Sequence, residues 1–227
     1  MSDRRMKYSI ALFLAFSFVC VLSAGPKMKK PELGKILYDT CKNCHGVDGE
    51  GNPAILAPGI NGMPAWYIIA SIKKYQNGTR GAHPDDPAGL RMRPLSRHLK
   101  TDKEIEAVAN YIEHLKPKAN PITVHGDVAR GKTLYMTCLA CHGPEGQGNP
   151  ALKAPPIKLL PDWYIVNQLQ KYRNGQRASN PKDIEGQQMK GMAMTLPDEQ
   201  ALSDVAAYIS TFNKSSATAA KTEAAHH

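Results

Sequence analysis

The chain has 227 residues, a length that suits one large domain or two domains of about 100 residues each. Hydrophobic residues make up 42% and charged residues 22%, a balance typical of globular proteins rather than of disordered or fibrous ones. The formal net charge is +9, but the sequence has no long run of like charges and no basic helix with interleaved aromatic residues. Nucleic acid is therefore not expected as a partner.

The first 24 residues have the pattern of an export signal. A basic stretch precedes the uncharged apolar segment 10–22, and small residues follow that segment. The apolar segment is shorter than the roughly 20 residues that a helix needs to cross a bilayer. We therefore predict a signal peptide over residues 1–24 and a periplasmic location. An uncleaved anchor in the inner membrane is the alternative.

The sequence contains one long internal repeat. Residues 34–115 align with residues 131–212 without a gap, and about 35 of the aligned positions are identical. Two long copies indicate a duplicated domain and not a solenoid. The predicted divisions are domain 1 over 25–116, a linker over 117–125, domain 2 over 126–214 and a disordered tail over 215–227.

Each copy is predicted to form three helices joined by long loops, without strands. In the first copy, helices are expected over Glu32–Cys41, over Pro64–Gln76 and after Thr101, where a Thr-x-x-Glu capping box precedes spaced apolar residues. In the second copy they are expected over Asp127–Cys138, Pro161–Arg173 and Asp198–Phe212. The intervening loops are rich in Gly, Pro and Asn, so something other than regular structure must hold them.

The first helix of each copy leads into a Cys-x-x-Cys-His motif. The motif residues are Cys41, Cys44 and His45 in the first copy and Cys138, Cys141 and His142 in the second. Two thiols at this spacing on a helix lie on one face and can form thioethers with a haem edge, while the histidine reaches the iron. The pattern predicts two covalently bound haem c groups per chain.

Two other interpretations of the motif are weaker. A zinc site needs four ligands, and neither copy offers a second cysteine pair. A redox dithiol of the thioredoxin type is expected after a strand, and no strand pattern precedes either motif. The fifth cysteine, Cys20, lies in the N-terminal apolar segment, so a disulfide framework is not expected either.

A second axial ligand should occur at the same position in both copies. Met92 and Met189 form the one matched pair among the remaining His and Met residues; Met63, for example, aligns with Leu160. We predict Met92 and Met189 as axial ligands in a polar loop before the last helix, opposite His45 and His142.

On these motifs the chain resembles the class I cytochromes c, and its duplication resembles the dihaem cytochrome c4 family. The resemblance covers about residues 31–212 and includes an Ala-x-Tyr-Ile sequence in the last helix of each copy. It implies an all-α fold of two tandem class I cytochrome c domains, each wrapped around one haem c. It also implies that the carbonyl groups of Pro58 and Pro155 accept the imidazole N–H of the motif histidines.

Ligation by His and Met occupies both axial positions of a haem iron, so an electron carrier is expected rather than an enzyme. The resemblance implies single-electron transfer from a quinol-oxidising complex to a terminal oxidase or reductase. Two alternatives stay open, a membrane-anchored dihaem subunit of an oxidoreductase and a dihaem enzyme such as a peroxidase. The enzyme would need an open haem or an additional cysteine ligand, and no such cysteine follows Cys20 outside the motifs.

The two copies differ in charge around the predicted methionine ligand. Arg91, Arg93 and Arg97 surround Met92, whereas the second copy has Gln188, Lys190 and Met194. Positive charge near an iron favours its reduced state. Our hypothesis is that the first haem has the higher potential and that this arginine face docks an acidic redox partner; the alternative is a solvated loop.

Overall fold

The structure of this chain is a computed structural model, and it describes residues 30–224. The helices that it contains are, in chain order, α1 (Lys30–His45), α2 (Ala65–Asn77), α3 (Pro87–Ser96), α4 (Asp102–Glu113), α5 (Val128–His142), α6 (Asp162–Arg173), α7 (Ile184–Met194) and α8 (Glu199–Ala224). Within these residues no helix is long and apolar enough to cross a membrane. The predicted signal peptide or anchor over residues 1–24 lies outside the described part of the chain.

The prediction of an all-α fold is confirmed, and each copy of the repeat forms one unit of four α-helices and one short 3-10 helix. In the first unit α1 packs against α4, and α2 packs against both α3 and α4. The second unit repeats this arrangement, with α5 against α8 and α6 against α7 and α8. Between residues 30 and 224 the backbone forms no strand, apart from one isolated bridge in each copy.

The prediction of three helices per copy is wrong, because α3 and α7 occupy segments that we expected to be loops. Asp86 caps α3 by accepting a hydrogen bond from the Gly89 amide at 3.0 Å, and a proline follows at the first position of the helix. Asp183 caps α7 by accepting from the Gly186 amide at 3.2 Å. Met92 and Met189 therefore lie on helices and not in polar loops.

The ends of three helices also differ from the expectation. Helices α1 and α5 continue through the motifs to His45 and His142 instead of ending at the first cysteine. Helix α8 continues to Ala224, in a segment predicted as part of a disordered tail. This segment is rich in Ala, which has the highest helix propensity. Residues 225–227 lie outside the described residues.

A glycine on the motif helix lets that helix approach the last helix of its unit closely. A Cβ atom at Gly34 of α1 would overlap the carbonyl oxygen of Ala107 in α4. Gly131 of α5 has the same relation to Asp204 in α8. Each unit has its own apolar core, which includes the fully buried Val108 in the first unit and Val205 in the second. The fold thus fixes the motif helix directly on the last helix.

Candidate functional site

The motif residues of the first unit line a cavity in that unit. Cys41, Cys44 and His45 line it from the C-terminal end of α1, and Met92 lines it from α3. Apolar side chains form much of the remaining wall, including Leu37, Ile60, Met63, Ile68, Ile72 and Leu99. Two thiols, an imidazole and a thioether on the wall of one apolar cavity fit a covalently bound haem c.

A second methionine, Met63, lines the same cavity and is buried. The equivalent residue of the second copy, Leu160, also lies on the wall of this first cavity. Met92 as the axial ligand therefore stays a prediction. Variants of Met63 and Met92 test it, because both side chains line the cavity.

The imidazole rings of both motif histidines are held by the same hydrogen bond. Nδ1 of His45 lies 2.8 Å from the carbonyl oxygen of Pro58, and Nδ1 of His142 lies 2.8 Å from that of Pro155. Because a carbonyl oxygen only accepts, Nδ1 carries the proton and Nε2 keeps its lone pair. Burial lowers the pKa of both histidines, although this hydrogen bond opposes it. The lowered pKa favours the neutral imidazole, which is the form that ligates metals.

The chain immediately after each histidine is tied back to the motif helix. The Tyr38 hydroxyl donates to the carbonyl oxygen of Gly46 at 2.7 Å, and the Tyr135 hydroxyl donates to that of Gly143 at 2.6 Å. Both tyrosines are almost completely buried. We did not predict a role for this tyrosine, although it occurs at the equivalent position of both copies. It stabilises the turn that follows the motif.

The environment of the motif thiols does not suit a redox dithiol. Burial raises the pKa of Cys41 to about 11, and burial also raises the pKa of Cys138. Reactive dithiols have lowered pKa values and often lie at helix N-termini. These thiols lie near the C-terminal ends of α1 and α5, where the helix dipole disfavours a thiolate. The thioredoxin-type alternative is therefore not supported.

The second unit places the predicted site residues on the equivalent elements. Cys138, Cys141 and His142 end α5, and Met189 lies on α7. Met189 packs together with Leu169 against a small buried cluster formed by Tyr172, Ala178 and Ala193. Cys141 is exposed, whereas His142 is buried.

Two equivalent arginines, which sequence reasoning missed, lie where the units meet. Arg80 of the first unit donates to the Tyr164 hydroxyl of the second at 3.1 Å, and it lines the first cavity. Arg177 stacks over the Tyr172 ring, 4.2 Å from its centroid. Within the described residues its Nε atom is buried without a hydrogen-bond partner. The unused donor of Arg177 fits a carboxylate of a haem. Arg80 and Arg177 occupy equivalent positions of the two copies, and this repetition is the signal that could have identified them.

Comparison with known proteins gives a consistent result. Residues 31–116 and 128–213 each match the family model described as cytochrome c. The chain is 30% identical over 186 residues to cytochrome c4 of Stutzerimonas stutzeri, covering 76% of this chain and 85% of that protein. It is 28% identical over 164 residues to the thiosulfate dehydrogenase electron acceptor of Stutzerimonas stutzeri (strain A1501), covering 67% of this chain and 72% of that one. The solved structure of Acidithiobacillus ferrooxidans cytochrome c4 is similar with a TM-score of 0.62 and 27% identity, over 76% of this chain and 98% of that chain.

Proposed function

Since this chain belongs to the cytochrome c family, as a dihaem protein of the cytochrome c4 type with one covalent haem c in each domain, we propose that it is a periplasmic carrier of single electrons between redox proteins. The family match confirms the predicted fold, the resemblance and the two haem c groups. Each bound haem supplies an iron that alternates between its ferric and ferrous states.

The observation that carries the proposal is that His45 and Met92 line one cavity with both motif cysteines. A histidine and a methionine on one iron leave no position open for a substrate. We assign the chain's residues accordingly. His45, Met92, His142 and Met189 would ligate the irons, and Cys41, Cys44, Cys138 and Cys141 would form the thioethers. The carbonyl groups of Pro58 and Pro155 orient the histidines.

For the redox partners, we propose a quinol-oxidising membrane complex as donor and a terminal oxidase or reductase as acceptor. The resemblance to cytochrome c4 supports this choice. If the N-terminal segment stays uncleaved, the same protein would be a fixed subunit of a membrane oxidoreductase. Intact mass of the native protein separates these cases: a chain that begins near Gly25 and carries two haems is expected, and a chain that keeps residues 1–24 would favour the anchored form.

A second candidate donor follows from the relative named as a thiosulfate dehydrogenase electron acceptor. On this hypothesis the chain receives electrons from an enzyme that oxidises thiosulfate, and its own ligands and cavities keep the same roles. The two candidates therefore differ only in the protein that delivers the electron.

Stopped-flow reduction of the oxidised holoprotein tests the proposal. Rapid reduction is expected with quinol plus a quinol-oxidising complex, or with thiosulfate plus a thiosulfate dehydrogenase, and the faster pair identifies the donor. The isolated holoprotein should show no turnover with thiosulfate plus ferricyanide as electron acceptor, or with hydrogen peroxide plus a reduced dye as electron donor. Sustained turnover in that control would contradict the carrier and support a dihaem enzyme.

A further inference from the structure

Among the ion pairs that join the units, two are related to each other by the repeat. Lys171 on α6 of the second unit contacts Asp86 of the first, with Nζ 2.6 Å from the carboxylate. Lys74 on α2 of the first unit contacts Asp183 of the second. Lys74 and Lys171 are equivalent positions of the repeat, as are Asp86 and Asp183. The pairs are therefore reciprocal, as in an interface between two copies related by a two-fold axis.

Each aspartate in these pairs also begins the helix that carries the methionine ligand of its own unit. One oxygen of Asp86 accepts both from Lys171 and from the Gly89 amide in the first turn of α3. Asp183 likewise accepts from Lys74 and from the Gly186 amide in the first turn of α7. The same carboxylate thus fixes the start of a helix and binds the other unit.

The pair between Lys171 and Asp86 is buried, with side chains 9% and 5% exposed. Burial would raise the pKa of Asp86, but the hydrogen bonds from Lys171 and Gly89 outweigh it and hold the pKa below its ordinary value. A buried carboxylate without its cation is unfavourable. Removing Lys171 should therefore make the Asp86 carboxylate move towards water, and this movement would loosen the first turn of α3.

The reciprocal pair, between Lys74 and Asp183, is more exposed to solvent, and its lysine has a second acidic partner. The Lys74 side chain is 26% exposed and also contacts Glu185 at 2.7 Å, which in turn contacts Lys153 at 2.9 Å. The first copy has Ala88 at the position equivalent to Glu185, so it lacks this additional pair. Water and Glu185 can compensate for part of any change at Lys74.

The second unit also completes the wall of the first cavity. Lys171, together with Leu160, Tyr164 and Gln168 of the second unit, lines the cavity that contains His45 and Met92. The surroundings of the first iron site therefore include residues of the second unit, and Lys171 contributes a charge there.

We propose that each unit's methionine helix is held in place by a lysine of the other unit, with Lys171 as a positioning residue for Met92 and Lys74 as one for Met189. The inference rests on the proposed ligation by these methionines. Its consequence is that methionine ligation in one domain depends on the docking of the other. Electron transfer partners that separate the domains would alter the iron ligation in both.

The test compares Lys171→Gln and Lys74→Gln in the full holoprotein. Hydrogen–deuterium exchange followed by mass spectrometry reports on α3 and α7 separately. We expect exchange in residues 86–96 to be on the order of tenfold faster in Lys171→Gln, with α7 much less affected. Lys74→Gln should affect residues 183–194 instead, by a smaller factor. Equal changes in both helices, or none, would overturn the inference.

Three further variants separate positioning from a general loss of stability. Lys171→Arg keeps the cation, so α3 should exchange as slowly as in the unaltered protein. Asp86→Asn keeps a good capping side chain and loses the ion pair, so it should resemble Lys171→Gln. Lys73 lies next to Lys74 on α2 and forms an exposed ion pair with Asp102 of α4. Lys73→Gln removes this pair and should leave the exchange of α3 and α7 unchanged.

Proton NMR of the reduced holoprotein links the effect to the iron. A methionine bound to haem iron gives a methyl signal shifted by the ring current, and variants of Met92 and Met189 assign the two signals. Lys171→Gln should move the Met92 signal and leave that of Met189. Absence of both signals in the unaltered protein would refute the proposed ligation, whereas two signals that move together would refute only the cross-domain positioning.

Discussion

Gly131 on α5 lies so close to the carbonyl oxygen of Asp204 on α8 that a methyl group on Gly131 would overlap this oxygen. The backbone atoms that face each other here belong to the helix that ends in the second Cys-x-x-Cys-His motif and to the last helix of the same domain. Because Gly34 and Ala107 repeat the relation, the position of each motif in its domain depends on a glycine contact about two to three turns away.

We expect Gly131→Ala to destabilise the holoprotein by about 1–3 kcal/mol, because α5 and α8 must move apart to accept the methyl group. Denaturant unfolding of the holoprotein measures the change. Gly191→Ala on α7 is the matched control, since no atom lies within 4 Å of the added Cβ. This control should be neutral or stabilising by up to about 1 kcal/mol. Equal effects of the two variants would contradict the packing account.

The second prediction concerns the effect of the arginine face, formed by Arg91, Arg93 and Arg97, on the reduction potential of the first haem. Arg91 and Arg97 are exposed, and Arg91 lines the same cavity as Met92. A charge about 10 Å from an iron, at an effective dielectric of about 40, contributes roughly 0.8 kcal/mol, or a few tens of millivolts before salt screening. Replacing Arg91 and Arg93 with Gln should lower the potential of the first haem by that order and weaken the salt dependence of electron transfer to an acidic partner.

Domain-resolved redox titration measures this effect. Lys190→Gln, at the position equivalent to Arg93, is the control and should lower the potential of the second haem instead. The hypothesis fails if the double arginine variant leaves the first potential unchanged or lowers only the second.

Acid should weaken the contact between the domains. Hydrogen bonds from Lys74 and Lys153 lower the pKa of Glu185 from 4.5 to about 2. Since the folded value lies below the ordinary one, the stabilisation from Glu185 is complete above about pH 4.5 and is lost as the pH falls towards 2. Unfolding midpoints measured across this range should therefore fall more steeply in the unaltered protein than in Glu185→Gln. Asp102→Asn, which removes an exposed partner of Lys73, is the control; a slope unchanged by Glu185→Gln would contradict the assignment.

Much of the fold and site could be predicted because the repeat doubles each local signal. The capping box at Thr101 and Glu104 and the Cys-x-x-Cys-His motifs follow from local patterns, whereas the hydrogen bond from His45 to Pro58 was implied by the family resemblance. Each of them is present in the structure. Helix α3 was missed because Gly89 and Pro94 disfavour a helix and its few apolar residues form no continuous stripe, although Asp86 followed by Pro87 is a recognisable helix start.

The contacts between the domains could not be predicted in the same way. Pairs such as Lys171 with Asp86 join residues far apart in sequence, and their proximity depends on how the two units dock. The available signal was the identity of both charges in the two copies. That identity marks the positions but does not reveal that each lysine contacts the aspartate of the other copy.

Methionine variants test which residue ligates each haem iron opposite the motif histidine. Met189→Ala should halve the Met–iron charge-transfer band of the oxidised protein and open one haem to carbon monoxide. Met92→Ala should do the same at the other haem. Met63→Leu introduces the residue found at the equivalent position of the second copy and should leave the band unchanged. If Met63→Leu and not Met92→Ala halves the band, the first axial ligand is Met63.

The most direct test of the carrier is the addition of carbon monoxide to the reduced, unaltered holoprotein. With His and Met on both irons, the Soret spectrum should not change, because neither iron offers a position for the ligand. Rapid formation of a carbon monoxide complex at either haem would show an open iron and contradict the account of two closed electron-transfer sites.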